Sequence, residues 1–373
     1  MTSAEVSDAV ARRRLHAQLL DPPGTSSPLD VAGHLLAVQT QDLRGGKLTL
    51  RARSAGLTAA DVDRALAERT LIVTWVNRGT LHLIRTEDHP LLQALTTPQL
   101  ATSNARRLQQ EGVPPDDAER AVAAVERALA DEGQLTRGQL KDVVDGIGVR
   151  TEGQALIHIL FLASLRGLIV RGPMVGKEQA FVLVRDWLGA DVADRVGAGR
   201  LIDDRDQALG ELARRYLVGH GPATDRDLAK WAGLTVGDSR RALRRIGSQL
   251  DELGDGLVDL ADRAPTPDPD TPPPVRLLGP FDALLMGWTS RAPVLGDNQS
   301  IVTSNGVFRP FALVEGRAVA SWRFVGSGSR LSIEIDPFPS ATFRRAVTAH
   351  QAELAAEAAD VLRFLNPPNP LPP

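Results

Sequence analysis

A chain of 373 residues, 43% apolar and 24% charged, is long enough for two or three globular cores and too rich in apolar residues for disorder on a large scale. It has no cysteine, which excludes a disulfide framework, an iron–sulfur cluster and a thiolate zinc site, and which fits a reducing cytoplasm. The formal net charge of −3 runs against the basicity common among nucleic-acid binders, so any DNA contact has to rest on how charge is placed locally. Nearly all the cations are arginine, with lysine only at Lys47, Lys141, Lys177 and Lys230. Residues 1–11 are polar and lack the apolar stretch of a signal peptide, and no run of about 18 apolar residues occurs. A cytoplasmic protein without a membrane partner is expected.

In chain order, apolar residues at helical spacing predict a helix over 6–20, stopped by Asp21-Pro22-Pro23-Gly24, and a second over 29–40. Thr58-Ala59-Ala60-Asp61 is a capping pattern that opens a third helix running to residue 69. The β-rich runs 71–76 and 80–84 flank Asn77-Arg78-Gly79 and read as a hairpin. Three helices closed by a hairpin is the winged-helix plan. It returns at 116–131, Thr136-Arg137-Gly138-Gln139, 152–166, then strands 167–171 and 181–184. It returns again at 206–218, 224–232 and 236–250, with a short strand at 256–260.

The stretch 262–274 is Pro-rich and predicts a linker or extended crossing segment. Beyond it, 299–303 and 307–314 flank Ser304-Asn305-Gly306, and 317–325 with 331–335 complete a small antiparallel sheet before a helix over 341–365. The expected fold class is α+β: tandem winged helix-turn-helix units with a small C-terminal antiparallel β element and a terminal helix. The expected segments are 1–110, 111–200 and 201–262 for the three units, and 263–373 for the crossing segment, sheet and last helix.

The common catalytic signatures are absent: no phosphate loop, no dinucleotide fingerprint, no His-Glu-x-x-His and no nucleophile elbow. The seven histidines are scattered. His158 reads as a core residue of an apolar helix and His220 as a helix terminus, so no metal and no cofactor are expected. The unusual segment is 34–44, where an apolar helix gives way near its end to Gln39 and Gln41, either polar residues meeting solvent or a ligand site. Gly45-Gly46-Lys47 follows and predicts backbone open to a ligand.

Here the chain resembles the winged-helix DNA glycosylases of the AlkZ type, a superfamily that includes the bacterial YcaQ-like proteins. The likeness rests on Gln39-Thr40-Gln41, at the family's catalytic Gln-φ-Gln position, although the middle residue there is normally apolar. It rests also on Trp75-Val76-Asn77-Arg78-Gly79-Thr80-Leu81-His82-Leu83 and on Leu278-Gly279-Pro280-Phe281-Asp282-Ala283-Leu284-Leu285-Met286-Gly287, in the same order along the chain. Where many members carry Arg-Asp-Arg after that last segment, only Arg291 stands here.

The resemblance implies hydrolysis of the N-glycosidic bond of N7-alkylguanine-type bases in double-stranded DNA, including bulky adducts or cross-links from a DNA-alkylating natural product. An N7-alkylated guanine is cationic and already a good leaving group, so water has to be positioned and an oxocarbenium-like transition state stabilised. The amides of Gln39 and Gln41 offer a carbonyl acceptor and an N–H donor for that purpose. With Lys47 the only lysine nearby, hydrolysis is favoured over Schiff-base chemistry. Candidate DNA contacts are Arg44, Lys47, Arg78 and Asn305, with Arg240, Arg241, Arg244 and Arg245 sharing a helix face by their i,i+4 spacing. Arg12, Arg13 and Arg14 are a weaker case. Two rivals remain open from the residues alone: a winged-helix transcription regulator without chemistry, and a protein-binding scaffold suited to the net acidity. Three units in one chain favour a monomer that wraps a duplex over a regulator dimerising on a palindrome.

Overall fold

The computed structural model describes residues 3–21, 24, 27–197, 204–265, 271–296, 298, 300–303 and 306–366. Pro22, Pro23, the middle of the Pro-rich stretch, Ser304 with Asn305, and the Pro-rich tail therefore lie outside the described residues. The protein mixes helices with antiparallel sheets and divides into two compact units. One comprises Met1–Val62, Ala213–Trp231 and Ile246–Pro373; the other comprises Asp63–Leu212 and Ala232–Arg245. No helix among the described residues is long and apolar enough to cross a membrane.

The first unit contains the helices Ser3–Ala17, Pro28–Leu35 and Leu43–Ala52, and the hairpin Leu250–Glu252/Val258–Leu260. It also holds an antiparallel sheet in the order Ser332–Pro337, Arg317–Val325, Phe311–Val314, Arg276–Leu278. Phe311–Val314 has a neighbour on both sides and is buried throughout, as its unbroken apolar sequence requires. The residues 276–278, which lead into the Gly-Pro-Phe-Asp motif, form the edge strand missed by sequence reading. Only an isolated bridge, Val302 to Phe308, stands where a longer hairpin was expected.

The last helix is two. Ala341–Ala349 starts at Ser340, whose Oγ accepts from the Phe343 amide (3.2 Å), and the chain breaks at His350 before Gln351–Leu365. The second of these buries Leu354, Val361 and Phe364, a single stripe at helical spacing. It is fastened by charge as well. Arg51, on the Leu43–Ala52 helix, pairs with Glu357 (2.9 Å) and Asp360 (2.7 Å), and Glu357 accepts from the Leu277 amide (3.0 Å). Arg51 is only 2% exposed.

The second unit is built on a sheet in which Thr80–Arg85, Leu71–Val76, Ile169–Val175, Glu178–Leu183 and Gln134–Leu135 follow one another, all antiparallel. The hairpins expected in the first two winged-helix stretches are both present, and Val73 pairs with Arg171 to join them. The turn between 76 and 80 places Asn77 and Gly79 at positive φ, +54° and +76°, the conformation that Asn and Gly tolerate. Pro115–Glu132, Arg137–Gly146 and Ala155–Leu165 are helices close to their expected bounds. His89–Thr96 and Ala101–Gln110 were not anticipated. Against the sheet, Trp75 stacks with Phe181 at 6.4 Å and Thr74 shares a hydrogen bond with Ser164 (3.0 Å).

Removing the Glu357 carboxylate leaves the buried Arg51 short of a partner. Glu357→Ala is expected to lower stability by about 3 kcal/mol in urea unfolding. A loss below about 0.5 kcal/mol, the size of an ordinary surface change, would mean that apolar packing alone fastens the terminal helix.

Candidate active site

The two glutamines do not sit at a helix end, as the apolar run suggested. The helix stops at Leu35, because Leu36 adopts φ +64° and ends the ladder of i to i−4 bonds. Val38–Gln39 is a short extended stretch, and Thr40 turns its hydroxyl back to donate to the Val38 carbonyl (2.8 Å). β-Branched residues at 38 and 40 suit the extended backbone better than a helix. Gln39 and Thr40 are buried, whereas Gln41 is exposed.

The next helix, Leu43–Ala52, begins at once. Asp42 caps it, its two carboxylate oxygens accepting from the amides of Arg44 and Gly45 (both 3.3 Å). Gly45 and Gly46 are buried inside this helix and not open to a ligand, which corrects the reading of Gly-Gly as exposed backbone. They allow close approach. A Cβ on Gly46 would collide with the Thr40 hydroxyl and lie 2.9 Å from its methyl, and one on Gly45 would lie 3.2 Å from the Pro280 carbonyl. The small residues thus press the helix against the glutamine segment on one side and the 278–282 segment on the other.

That second segment is anchored by Arg53 and Asp282, both fully buried. Arg53 Nη2 donates to Asp282 Oδ1 (2.8 Å) and Nη1 to Oδ2 (2.9 Å), a bidentate pair. Arg53 donates further to the Thr49 carbonyl (3.0 Å) and to Gln18 Oε1 (2.7 Å), while Asp282 Oδ1 accepts from the Leu284 amide (2.9 Å). Asp282 belongs to a motif visible in the sequence. Its partner, 229 positions earlier, carried no signal.

The chain after Asp282 is held just as closely. Tyr216 donates to the Gly287 carbonyl (2.7 Å), Trp288 Nε1 to the His220 carbonyl (3.0 Å), and the Thr289 amide and hydroxyl to Asp227 Oδ1 (2.7 Å each). His220, which does end its helix, packs among Tyr216, Trp231 and Trp288, and burial pushes its pKa down to about 3, so it stays neutral. These four ring side chains gather here as buried core. Burial pushes the Asp227 carboxyl up, but hydrogen bonds from Thr289 and Thr224 and the charge of Arg14 outweigh it and hold the group below the usual aspartate range. Arg291 donates to the Leu285 carbonyl (2.9 Å) and lies over Phe308.

The candidate cations divide. Arg44 and Lys47 stand on the Leu43–Ala52 helix directly after the glutamines; Arg44 is exposed, its guanidinium 5.4 Å from the Phe324 ring, and Lys47 is half-buried. Arg78, in the second unit, is half-buried in its hairpin turn. Arg240, Arg241, Arg244 and Arg245 are all exposed on the helix Val236–Arg245, but Arg241 is tied to Asp206 (3.2 Å) and Asp238 (3.5 Å). Asn305 lies outside the described residues. Arg12 and Arg14 are engaged inside the first unit, with Asp21 (2.8 Å) and Asp227 (3.6 Å). His158 is half-buried and shares a hydrogen bond with Asn104 (2.7 Å), not sealed in the core. Among the described residues, no three His, Asp or Glu side chains cluster as metal ligands would.

The family profile described as DNA glycosylase AlkZ-like matches residues 32–364, which takes in the glutamine segment, the Arg53–Asp282 pair and the terminal helix. The chain belongs to the AlkZ-like DNA glycosylase family. It is similar to the interstrand DNA cross-link repair glycosylase of Streptomyces sahachiroi, 29% identical over 94% of this chain and 96% of that one. Its fold is similar to the solved structure of Streptomyces sahachiroi DNA glycosylase AlkZ, with a TM-score of 0.71, 25% identity, and 98% and 97% of the two chains covered. The enzyme class is that of a DNA glycosylase, and the mixed helical and antiparallel-sheet architecture is the one that neighbour has.

In this AlkZ-like glycosylase, Asp282→Asn is expected to cost roughly 3–5 kcal/mol by leaving the Arg53 charge buried and uncompensated. The double change Arg53→Met with Asp282→Leu should recover most of it, and equal losses in both variants would contradict the ion pair as their cause. A second expectation concerns acid. Because the folded Asp227 carboxyl is held below its ordinary value, its contribution is present at neutral pH and is lost as the pH falls through that folded value. Asp227→Asn should therefore flatten the acid limb of a stability-versus-pH curve, and an unchanged limb would remove Asp227 from the account.

Proposed function

We propose that this glycosylase is monofunctional and hydrolyses the N-glycosidic bond of N7-alkylguanine-type bases in double-stranded DNA, leaving an abasic site, with Gln39 and Gln41 as the catalytic pair. The observation that carries this reading is the local division of roles. Gln39 is buried in a short extended stretch that leads into a capped helix; two residues on, Gln41 is exposed; and the carboxylate beside them, Asp42, is already occupied by two helix amides. In this reading the Gln41 carbonyl accepts a hydrogen bond from the attacking water, and Gln39 sets the position of the segment. An amide is too weak a base to activate water for a poor leaving group. Such a site suits a base that is already cationic and spares normal ones.

The relative named for interstrand cross-link repair supports extending the substrate range to bulky adducts and cross-links. In the same reading the stretches 1–110, 111–200 and 201–262 act as tandem winged-helix units, with 263–373 as the crossing segment, sheet and terminal helices. The chain works as a monomer, and Arg44, Lys47, Arg78, Asn305 and the Arg240, Arg241, Arg244 and Arg245 helix meet the DNA backbone.

The test is duplex DNA carrying one N7-methylguanine, incubated with the protein and then treated with alkali to cut at abasic sites, with a bulkier N7 adduct and a cross-link run in parallel. Gln41→Ala and Gln39→Ala are each expected to lower the single-turnover rate by a factor of about 100 or more, as losing one well-placed catalytic hydrogen bond does, with DNA affinity kept. If all three substrates stay intact while the protein binds duplex DNA tightly, the chain is a DNA-binding protein without this chemistry.

A further inference from the structure

In the second unit a cleft of about 600 Å³ opens between the first turn of the helix Arg137–Gly146 and the hairpin Ile169–Val175/Glu178–Leu183. Leu156 and Phe181, both buried, line its base. Arg171 extends into it, its guanidinium 4.9 Å from the centroid of Phe181 and 5.1 Å from that of Trp75. These aromatic faces account for part of its placement but accept no N–H in the manner of an oxygen. The Arg171 side chain makes no hydrogen bond and no ion pair with another described residue, and its Nε is buried.

That sets Arg171 apart. The buried guanidiniums of Arg14, Arg51 and Arg53 each face a carboxylate. Arg171 is half-buried, and its Nε–H is withdrawn from water without an acceptor, which is costly. Burial, with the charge of Arg137 added, pushes its pKa down to about 10, so it remains cationic at neutral pH.

Two further features point into the same cleft. Arg137 is the first residue of its helix, where the positive end of the helix dipole disfavours a cation, and the first turn carries no acidic residue to offset it. Gly138 follows at the second position. A Cβ there would meet nothing closer than the Thr136 hydroxyl at 3.9 Å, so packing does not require glycine, although glycine weakens a helix relative to alanine. Thr136 and Gln139 cap each other, the Gln139 amide donating to Thr136 Oγ1 (3.3 Å) and the Thr136 amide to Gln139 Oε1 (2.8 Å). The amides of Arg137 and Gly138 are left directed out of the first turn. At the rim, Glu152 faces Arg150 (3.6 Å) and Glu178 is exposed, so neither carboxylate neutralises Arg171.

We infer that this cleft binds a phosphate oxyanion through the guanidiniums of Arg137 and Arg171 and the backbone amide of Gly138. A DNA backbone phosphodiester and a free phosphate monoester present the same oxygens, and both are sources the site would take. The assignment does not depend on the glutamine segment or on base excision, and stands if that chemistry fails.

The test uses the full-length protein and reads no glycosylase activity. Unfolding temperature is compared in phosphate and chloride buffers of equal ionic strength, and affinity for an undamaged duplex is followed against salt concentration. The variants are Arg137→Gln, Gly138→Ala and Arg171→Gln. Inorganic phosphate is expected to raise the wild-type unfolding temperature, and Arg137→Gln and Gly138→Ala to remove most of that rise, even though Gly138→Ala by itself leaves the chloride value equal or higher. If the DNA backbone is the occupant, Arg137→Gln also lowers the salt slope of duplex binding by about one. If a free phosphate is the occupant, the slope is unchanged and only the thermal response is lost. Should Arg171→Gln fail to fold, the exposed Arg137 and the packing-neutral Gly138 still decide. A phosphate response equal in wild type, Arg137→Gln and Gly138→Ala, with an unchanged salt slope, overturns the site.

Discussion

The first unit depends on one buried ion pair. Arg53 and Asp282 are fully withdrawn from water, which is tolerable because each is densely partnered: both Arg53 Nη atoms by two carboxylate oxygens, the Thr49 carbonyl and the Gln18 side chain, and Asp282 by Arg53 and the Leu284 amide, with only the Arg53 Nε–H left without an acceptor. Such a pair contributes little net stability compared with apolar groups of the same shape. What it contributes is specificity, since another docking of the 278–286 segment would leave the Arg53 Nη donors and the Asp282 oxygens without these partners. That docking brings Pro280 and Gly279 against Gly45 and Leu48 and so fixes one side of the helix that follows the glutamines.

The other side of that helix is fixed by Gly46 against Thr40, and here the departure from the family pattern acquires a physical sense. An apolar residue at position 40 would fill space alone. Threonine fills it with its methyl and also donates to the Val38 carbonyl (2.8 Å), closing a tight turn between the buried Gln39 and the exposed Gln41. If, as proposed, the reactive groups are the neutral amides of Gln39 and Gln41, the site has no charge with which to compensate for misplacement. Its rate depends on geometry, and the glycines, the threonine and the Asp42 cap are what a geometric site requires.

How much of this was legible in the sequence follows from the range of each interaction. The hairpin 71–85, the capped helices and the long apolar helices are determined by neighbours within a few residues, and periodicity, turn residues and caps place them to within a few positions. The helix Leu43–Ala52 was missed because Gly45-Gly46 reads as a loop, and only the close approach of Pro280 and Thr40, one of them far along the chain, makes glycine the right residue inside a helix. Arg53 was missed for the same reason at longer range. The glutamines were found by residue type and by resemblance, while their backbone setting turned on a single residue, Leu36, whose positive φ no local pattern announces.

Arginine carries two different jobs in this chain, and a net charge of −3 hides both. Arg14, Arg51 and Arg53 are structural: each is buried against a carboxylate that it neutralises, so these cations leave little field outside the protein. Arg244 and Arg245 are exposed in the last turn of a short helix, and in the proposed reading they face a polyanion. Arg171 fits neither group, being half-buried with no carboxylate against it. Arg53 and Arg276 also bury an Nε–H without an acceptor, but each faces a carboxylate; Arg171 does not, and the inferred oxyanion supplies the opposite charge that the fold leaves out.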